Sequence, residues 1–413
     1  MTVETIFALE TIKDLSEKLG SLAAMRRREP FNSSAVDFVS EMSRLVLRSP
    51  IGRRFPELAA LAHWFRPANL KAIEASTRNA AGDQFLRPRG MVFILAPANV
   101  DTLFIYGWFL SLLAGNATVV RVSQKPSESR DAFFELLREV ATQPRFYSAL
   151  ADSWVVSYPH DDQVTSRFSS ACDARLIWGG DGTVLKVRSI PMKPTAVEGG
   201  FADRFSIAAL RAQSILTMDE PALAELVRRF VNDTLWFDQQ ACSSPRCIYW
   251  IGDQSEIDAA RARFWPIYSD MAERFEDSPA AVMSRVSDLF MLAAEGAIET
   301  IASPPGARPS LGTGIKLNEK VRDLHSGFGL FVEYRVKSLT DIISSLTDKD
   351  QTLVVHGFED NEVEELAFLL PNRSMDRIVP VGLATEFAVT WDGTNLLDLL
   401  IRRVSFPRNS GRF

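Results

Sequence analysis

The sequence predicts an α/β protein of parallel sheets in two domains, and three observations lead there. Its 413 residues exceed the size at which one hydrophobic core keeps growing. From Gly90 onward short apolar strands alternate with helical stretches, the pattern of parallel strands joined by crossover helices. One of these strands, Leu176 to Trp178, runs straight into Gly179-Gly180-Asp181-Gly182, a tight turn at the strand end where such sheets bind ligands.

Residues 1 to 80 carry helical periodicity, with Leu15, Leu19 and Leu22 on one stripe and Val36, Phe38, Val39, Met42 and Leu45 on another, so a helical N-terminal layer is expected. Strands follow at Met91–Leu95, Ala117–Val122, Trp154–Tyr158 and Leu176–Trp178, with helices through Leu103 to Leu113 and Phe133 to Val140. The apolar run from Leu103 to Gly115 is short of the ~20 residues that span a bilayer, so it reads as a buried helix and no transmembrane segment is expected. A second α/β block opens with strand Phe205–Leu210 and a helix capped by Asp219, with Pro221 in its first turn. That helix ends near Trp236. Strand Arg246–Ile251, helices over 255–276 and 279–294, and a Pro/Gly/Ser-rich loop at 303–314 come next. The loop is a candidate substrate-lining or mobile segment. Strands at Leu330–Val336, Leu353–Val355 and Ile378–Val381 complete the chain.

Composition is that of a globular protein, 46% hydrophobic and 24% charged, with 27 Phe and 8 Trp for large cores. A formal charge of -6 gives no broad basic field, although Arg402, Arg403, Arg408 and Arg412 cluster, so no nucleic acid partner is expected. Three cysteines are too few and too odd for a disulfide framework, and the N-terminus lacks the layout of a signal peptide. A cytoplasmic location follows. His63, His160, His325 and His356 are scattered without ligand spacing, so no metal is expected.

The most informative stretch is Asp238-Gln239-Gln240-Ala241-Cys242-Ser243-Ser244-Pro245-Arg246, which sets a cysteine in a polar loop between a helix and a strand. Cys247 opens the apolar run Cys247-Ile248-Tyr249-Trp250 and Cys172 sits among Ser and Ala, so both read as buried, inert thiols. Position alone would leave Cys242 an unreactive loop thiol too.

Its company points further. Gln240-Ala241-Cys242 followed by Arg246 resembles the Gln-x-Cys-x-x-x-Arg nucleophile loop of aldehyde dehydrogenases. Gly90 to Asn99 is similar to their strand leading to a Pro-x-Asn turn, and Leu113 to Ser123 resembles their AxxAGN-VVxK-x-S segment. Within that superfamily the sequence resembles fatty acyl-CoA reductases of the bioluminescence (LuxC) type, through Asp238 to Arg246, Leu176 to Asp181, Phe201 to Ser206, Arg377 to Gly382 and Trp391-Asp392-Gly393. The resemblance implies an aldehyde dehydrogenase-like fold: a Rossmann-type cofactor domain over 1–200 that regains 377–413, and an α/β catalytic domain over 201–376 presenting Cys242 across the intervening crevice.

By the same resemblance, Cys242 attacks an acyl thioester, Asn99 and the Cys242 amide stabilise the oxyanion, and hydride reduces the acyl-enzyme to aldehyde. Arg121 replaces the family's adenosine-ribose lysine, and Gln124 stands where an acidic residue often rejects a 2′-phosphate. NADPH is therefore expected, with NADH as the alternative. Ser123 closes the Arg121 segment, and Trp178, Gly179 and Gly180 match the turn near the cofactor diphosphate, although Gly-Gly-Asp-Gly alone equally suits a plain tight turn. The nicotinamide-ribose glutamate falls on Ser326. The water-activating glutamate of aldehyde oxidisers falls on Gly200, which favours reduction, whereas a two-residue shift brings Glu198 into that place. The expected substrate is long-chain fatty acyl-CoA or another acyl thioester, and the expected assembly is a homo-oligomer with an acyltransferase or acyl-protein synthetase partner. An NAD(P)-dependent aldehyde oxidiser and a non-catalytic acyl- or cofactor-binding protein of the same fold are the competing readings.

Overall fold

The computed structural model describes residues 3–24, 28–97, 100, 102–304, 306–371 and 373–405. The chain forms two compact units, Met1–Ala202 with Phe387–Phe413, and Asp203–Glu386.

The first unit is built on a six-stranded sheet. Its strands are β1 (Glu4–Phe7), β2 (Met91–Leu95), β3 (Ala117–Val122), β4 (Ser153–Ser157), β5 (Ala174–Trp178) and β6 (Val197–Phe201), in the order β1-β4-β3-β2-β5-β6. All pairings are parallel except β1 with β4. The parallel part therefore runs third-second-first-fourth-fifth, the order that opens a ligand crevice beyond the carboxyl ends of its first and fourth strands. Helix α1 (Ser33–Arg48) is capped by the Asn32 side chain, which accepts the Ala35 N–H, and packs on the central helix α2 (Thr102–Leu113). Every residue of α2 is buried, as expected of a helix apolar all round. A further helix, α3 (Asp181–Arg188), starts directly from the Gly179-Gly180 turn.

Two strands of this sheet escaped the periodicity. The strand at Glu4–Phe7 replaces the start of the expected helical layer, because its Thr and Ile favour an extended edge pairing with β4. β6 is concealed by the paired glycines of Val-Glu-Gly-Gly-Phe. At Gly199 the sheet face is packed closely, since a Cβ there would lie 2.6 Å from Leu399 Cδ1. That contact belongs to the returning C-terminal segment, which Phe387 anchors against Tyr106 at 5.4 Å, and Asn116 Nδ2 and Arg89 hold through the carbonyls of residues 398–401.

The second unit carries a seven-stranded sheet of β7 (Phe205–Arg211), β8 (Pro245–Ile251), β9 (Thr300–Ile301), β10 (Ser310–Thr313), β11 (Leu330–Val336), β12 (Asp350–His356) and β13 (Arg377–Pro380), in the order β9-β10-β11-β8-β7-β12-β13. Only β9 runs antiparallel to its neighbour. Because Arg377–Pro380 pairs with β12, the chain leaves this unit at Glu386 and not before 377. The end of the 303–314 loop is likewise strand, since Ser310–Thr313 pairs in register with the buried Leu330–Glu333. Helices α4 (Glu220–Leu235), α5 (Gln254–Ala272) and α6 (Pro279–Ala294) flank the sheet. Asp219 caps α4 by accepting the Ala222 N–H at 2.9 Å. Beneath α5, the buried Glu333 accepts the indole N–H groups of Trp250 and Trp265 and pairs with Arg261. Among the described residues, no helix is long and apolar enough to cross a membrane and no group of three metal-ligating side chains occurs.

Asp233, buried on α4, ties that helix to the turn after β13 by accepting the N–H groups of Gly382 at 2.6 Å and Ala384 at 2.9 Å. Burial pushes its carboxyl up to about 7, against the pull of the two amides and Arg377. An unfolded Asp titrates near about 3.9, so between these values the native state keeps a proton that the unfolded chain releases. The stability contributed by this group is full below about pH 4 and is lost as pH rises to about 7. Chemical denaturation at about pH 5 and about pH 8 measures it: the unfolding free energy of the parent, referred to Asp233→Asn, should fall over that interval, and a difference that stays constant contradicts the assignment.

Candidate active site

Between α4 and β8 the chain makes a tight polar loop that carries Cys242. The loop is shaped by two successive left-handed residues, Asp238 (φ 50°) and Gln239 (φ 61°), a conformation costly for side chains larger than glycine. Gln239 supplies the compensation. Its buried carboxamide donates to the carbonyls of Pro245 at 2.8 Å and Leu330 at 3.0 Å, and accepts the Gly329 N–H at 2.8 Å. One side chain thereby fastens the loop to the first residues of β8 and β11.

The segment 325–329 closes over the loop from the other side. Phe328 N–H donates to Asp238 O at 2.9 Å, and Gln240 Nε2 donates to Ser326 O. Gly327 is required here: it has φ 94°, and a Cβ would lie 2.7 Å from Gln240 Nε2 and 2.9 Å from Gln239 O. The Cys242 carbonyl accepts from Ser206 Oγ at 2.6 Å, and Ser206 Oγ also takes the Thr352 N–H, so the peptide after the thiol is fixed to the sheet.

The three cysteines differ sharply. Cys242 is half-buried, whereas Cys172 and Cys247 are buried. Desolvation pushes the Cys172 thiol up to about 12 and raises that of Cys247 further, which leaves both as thiols at neutral pH. Beside Cys242 stands Arg246, its guanidinium 5.8 Å from the centre of the Phe205 ring and donating to His325 O at 3.2 Å. Desolvation is the largest influence on Arg246 and lowers its pKa, while Asp203, Cys242 and Asp288 favour its charged form. The attraction is mutual, so the guanidinium favours an anionic sulfur at position 242. His325 is buried, and burial followed by the Arg246 charge lowers it to about 3. Its ring is neutral, with Nδ1 accepting the Gly327 N–H at 3.2 Å and no partner at Nε2. With Nδ1 accepting, Nε2 carries the hydrogen of the neutral ring, which adds no charge beside Arg246.

The expected cofactor residues lie along the carboxyl edge of the first unit's sheet. Arg121 is on β3, the second parallel strand, where Rossmann-type sheets hold the adenosine ribose. It donates to Tyr158 O at 3.1 Å and sits 5.4 Å from the Tyr158 ring centre. Ser123 Oγ accepts the Lys125 N–H at 3.1 Å and Arg130 holds the Ser123 carbonyl, so Ser123 shapes the turn after β3. Trp178 stacks on Phe201 at 4.9 Å and 19°, and its buried indole Nε1 has no partner among the described residues. Gly179 N–H donates to Phe201 O. Gly180 caps α3 without any side-chain hydrogen bond, and a Cβ there would meet nothing within 4 Å. An open helix start, a partnerless indole N–H and an arginine on the second strand are features that suit a dinucleotide phosphate and ribose. Asn99 lies outside the described residues.

Glu198 is spoken for. It sits on β6, where its carboxylate pairs with the buried Arg175 and accepts Arg188 Nε at 3.2 Å. A side chain at Gly200 would meet Arg188 Nη2 at 2.8 Å. Sequence reasoning missed Gln239 and Asp288. The first was overshadowed by its neighbour Gln240, and the second sits on a helix far along the chain with no local pattern to mark it.

The family described as acyl-CoA reductase (LuxC) matches residues 69–403. The long-chain acyl-protein thioester reductase of Aliivibrio fischeri is 22% identical over 219 residues, 51% of this chain and 43% of the relative. That of Vibrio harveyi is 22% identical over 343 residues, 79% of this chain and 66% of the relative. The chain thus spans less than two thirds of either relative's length. Among solved structures, aldehyde dehydrogenase 21 of Physcomitrella patens superposes with a TM-score of 0.64 at 11% identity, covering 94% of this chain and 87% of that one. The NAD-dependent aldehyde dehydrogenase of Sinorhizobium meliloti gives 0.62 at 15% identity, covering 95% and 85%. The fold is aldehyde dehydrogenase-like.

Removing the Gln239 carboxamide leaves two carbonyls and one N–H without their buried partner. Gln239→Ala should lower the unfolding free energy by about 2 kcal/mol or more, measured by urea denaturation at constant m-value, and an unchanged midpoint would contradict the role given to this side chain.

Proposed function

The chain belongs to the acyl-CoA reductase (LuxC) family, and from that premise we propose that it reduces a long-chain acyl thioester to the aldehyde through an acyl group carried on Cys242. One observation carries the reading: of three cysteines, only Cys242 is half-exposed, and it lies in a loop braced by buried amide hydrogen bonds beside a guanidinium.

The Cys242 thiolate attacks the thioester carbonyl, and the tetrahedral oxyanion is stabilised by the Cys242 amide, with Asn99 the second donor that the family resemblance implies. The carbon–sulfur bond of the donor breaks, the leaving thiolate takes a proton from solvent, and the acyl group remains as a thioester on Cys242. Arg121, Ser123 and the Trp178-Gly179-Gly180 turn would hold a reduced nicotinamide nucleotide, which would supply the hydride for reduction of the acyl group. The Arg121 guanidinium suits the 2′-phosphate of NADPH. The sulfur of Cys242 leaves as thiolate when the aldehyde departs, and Arg246 favours that anion as well as the attacking one. Coenzyme A or a protein thiol serves as donor; the relatives named for acyl-protein thioesters favour the protein-borne form.

Aldehyde oxidation on the same scaffold needs a carboxylate to activate water. The engagement of Glu198 with Arg175 and Arg188 argues against that residue in the role, and so favours reduction.

Long-chain acyl-CoA or acyl-protein with NADPH should give aldehyde and a loss of reduced-cofactor absorbance. Cys242→Ala should lower turnover by about 10³-fold or more, while Cys247→Ala retains it. Undiminished turnover in Cys242→Ala would end the proposal, as would acylation of either of the other two cysteines in its place.

A further inference from the structure

Helix α6 reaches the nucleophile through residues that the proposed chemistry does not employ. On one face it places Arg285 and Asp288, three residues apart. Arg285 is buried, pairs with Asp277 at 2.6 Å, and donates to Gly306 O at 2.7 Å and Phe328 O at 3.4 Å. Asp288 Oδ2 accepts the Ser326 N–H at 2.8 Å and also the Ser326 hydroxyl. Ser326 O in turn accepts from Gln240, two residues before Cys242, and the neighbouring His325 O accepts from Arg246, four residues after it. The Asp288 carboxylate thus stands at the hub of the segment that touches both flanks of the nucleophile loop, and it shares the field of Arg246 with the sulfur.

Resting on the reading of Cys242 as the nucleophile, we infer that Asp288 is its positioning and tuning residue: it pins segment 325–329 through Ser326 and offsets the Arg246 charge, so that the sulfur anion forms without being held too firmly to leave. The charged and titratable groups facing Arg246, besides Cys242 itself, are Asp203 before β7, Cys247 on β8, Asp288 on α6 and His325 in the pinned segment. Cys247 stays a thiol and His325 stays neutral, which leaves the two aspartates as the groups that compete with the sulfur for Arg246. Removing one of them strengthens the hold of Arg246 on the thiolate.

The test uses the full chain and follows alkylation of Cys242 by iodoacetamide as a function of pH, with peptide mass spectrometry identifying the thiol. This readout needs neither cofactor nor acyl donor. Asp288→Asn, which keeps the size and one acceptor oxygen, should shift the alkylation profile to lower pH by about half a unit to one unit. Ser326→Ala keeps the carboxylate, so its profile should stay within about a quarter of that shift while kcat falls and KM for the acyl donor changes less. A profile for Asp288→Asn that is unmoved, or moved to higher pH, overturns the inference. So does a Ser326→Ala profile that moves as far as that of Asp288→Asn, which would assign the effect to packing. If Asp288→Asn does not fold, Asp288→Glu serves: it retains the charge, and a parent-like profile supports the inference while a shift to lower pH overturns it. Failure of Cys242→Ala to abolish turnover would remove the parent reading and leave the alkylation profiles unaffected, so the two failures are separable.

Discussion

The buried carboxamide of Gln239 is the constraint on which the thiol's geometry depends. A helix that ends at Leu235 and a strand that starts at Pro245 leave nine residues in which to turn and expose a sulfur. The turn is achieved with two left-handed residues, each of which costs free energy. Such a turn persists only if something over-determines it. Gln239 does so with hydrogen bonds to three backbone groups on two strands and an intervening loop, and in a buried setting each of those groups would be costly to leave unpaired. The same bonds make Gly327 obligatory, because the 325–329 segment must approach the loop more closely than any side chain permits.

Arg246 shows the opposite balance. Burying a guanidinium is unfavourable, and desolvation is the largest effect acting on it. Its hydrogen bond to the His325 carbonyl and the Phe205 face meet part of that cost, and the remainder is met by anions: two aspartates and, when ionised, Cys242. A cation held this way responds to the charge on the sulfur. It favours an anionic sulfur over a neutral one. His325 lies within the same field but is kept neutral by burial, so it adds shape without adding a competing charge.

How much of this was legible follows from what each element's signal depends on. The strands Met91–Leu95, Ala117–Val122 and Leu330–Val336 coincide with their sequence assignments because they are short apolar runs bounded by turn residues. The Asp219 cap and α6 are local signals of the same kind. β6 was hidden because its paired glycines carry no hydrophobic signal, one of them packing against Leu399 two hundred residues away, and Glu4–Phe7 because an edge strand has too few residues to display a period. At the site, Cys242 and Arg246 were readable from spacing. Gln239 was not, since two consecutive glutamines give no hint which one turns inward. Asp288 and Ser326 meet only in three dimensions, and no one-dimensional pattern joins them.

The direction of the chemistry depends on what has become of one carboxylate. Glu198 and Gly200 lie on the same face of β6, two residues apart. The structure fills that face with arginines: Arg175 from the adjacent strand and Arg188 from α3 both close on Glu198, and Arg188 occupies the space a side chain at Gly200 would need. A carboxylate held by two guanidiniums is engaged in ion pairs and is not free to orient a water. The ion pairs that secure β6 in the first unit therefore engage the carboxylate on which the oxidising alternative would call. In the proposed reaction, an acyl group on Cys242 would not meet that carboxylate as a free base for water, so an arrangement at a sheet edge bears on which of the two proposed reactions the scaffold would favour.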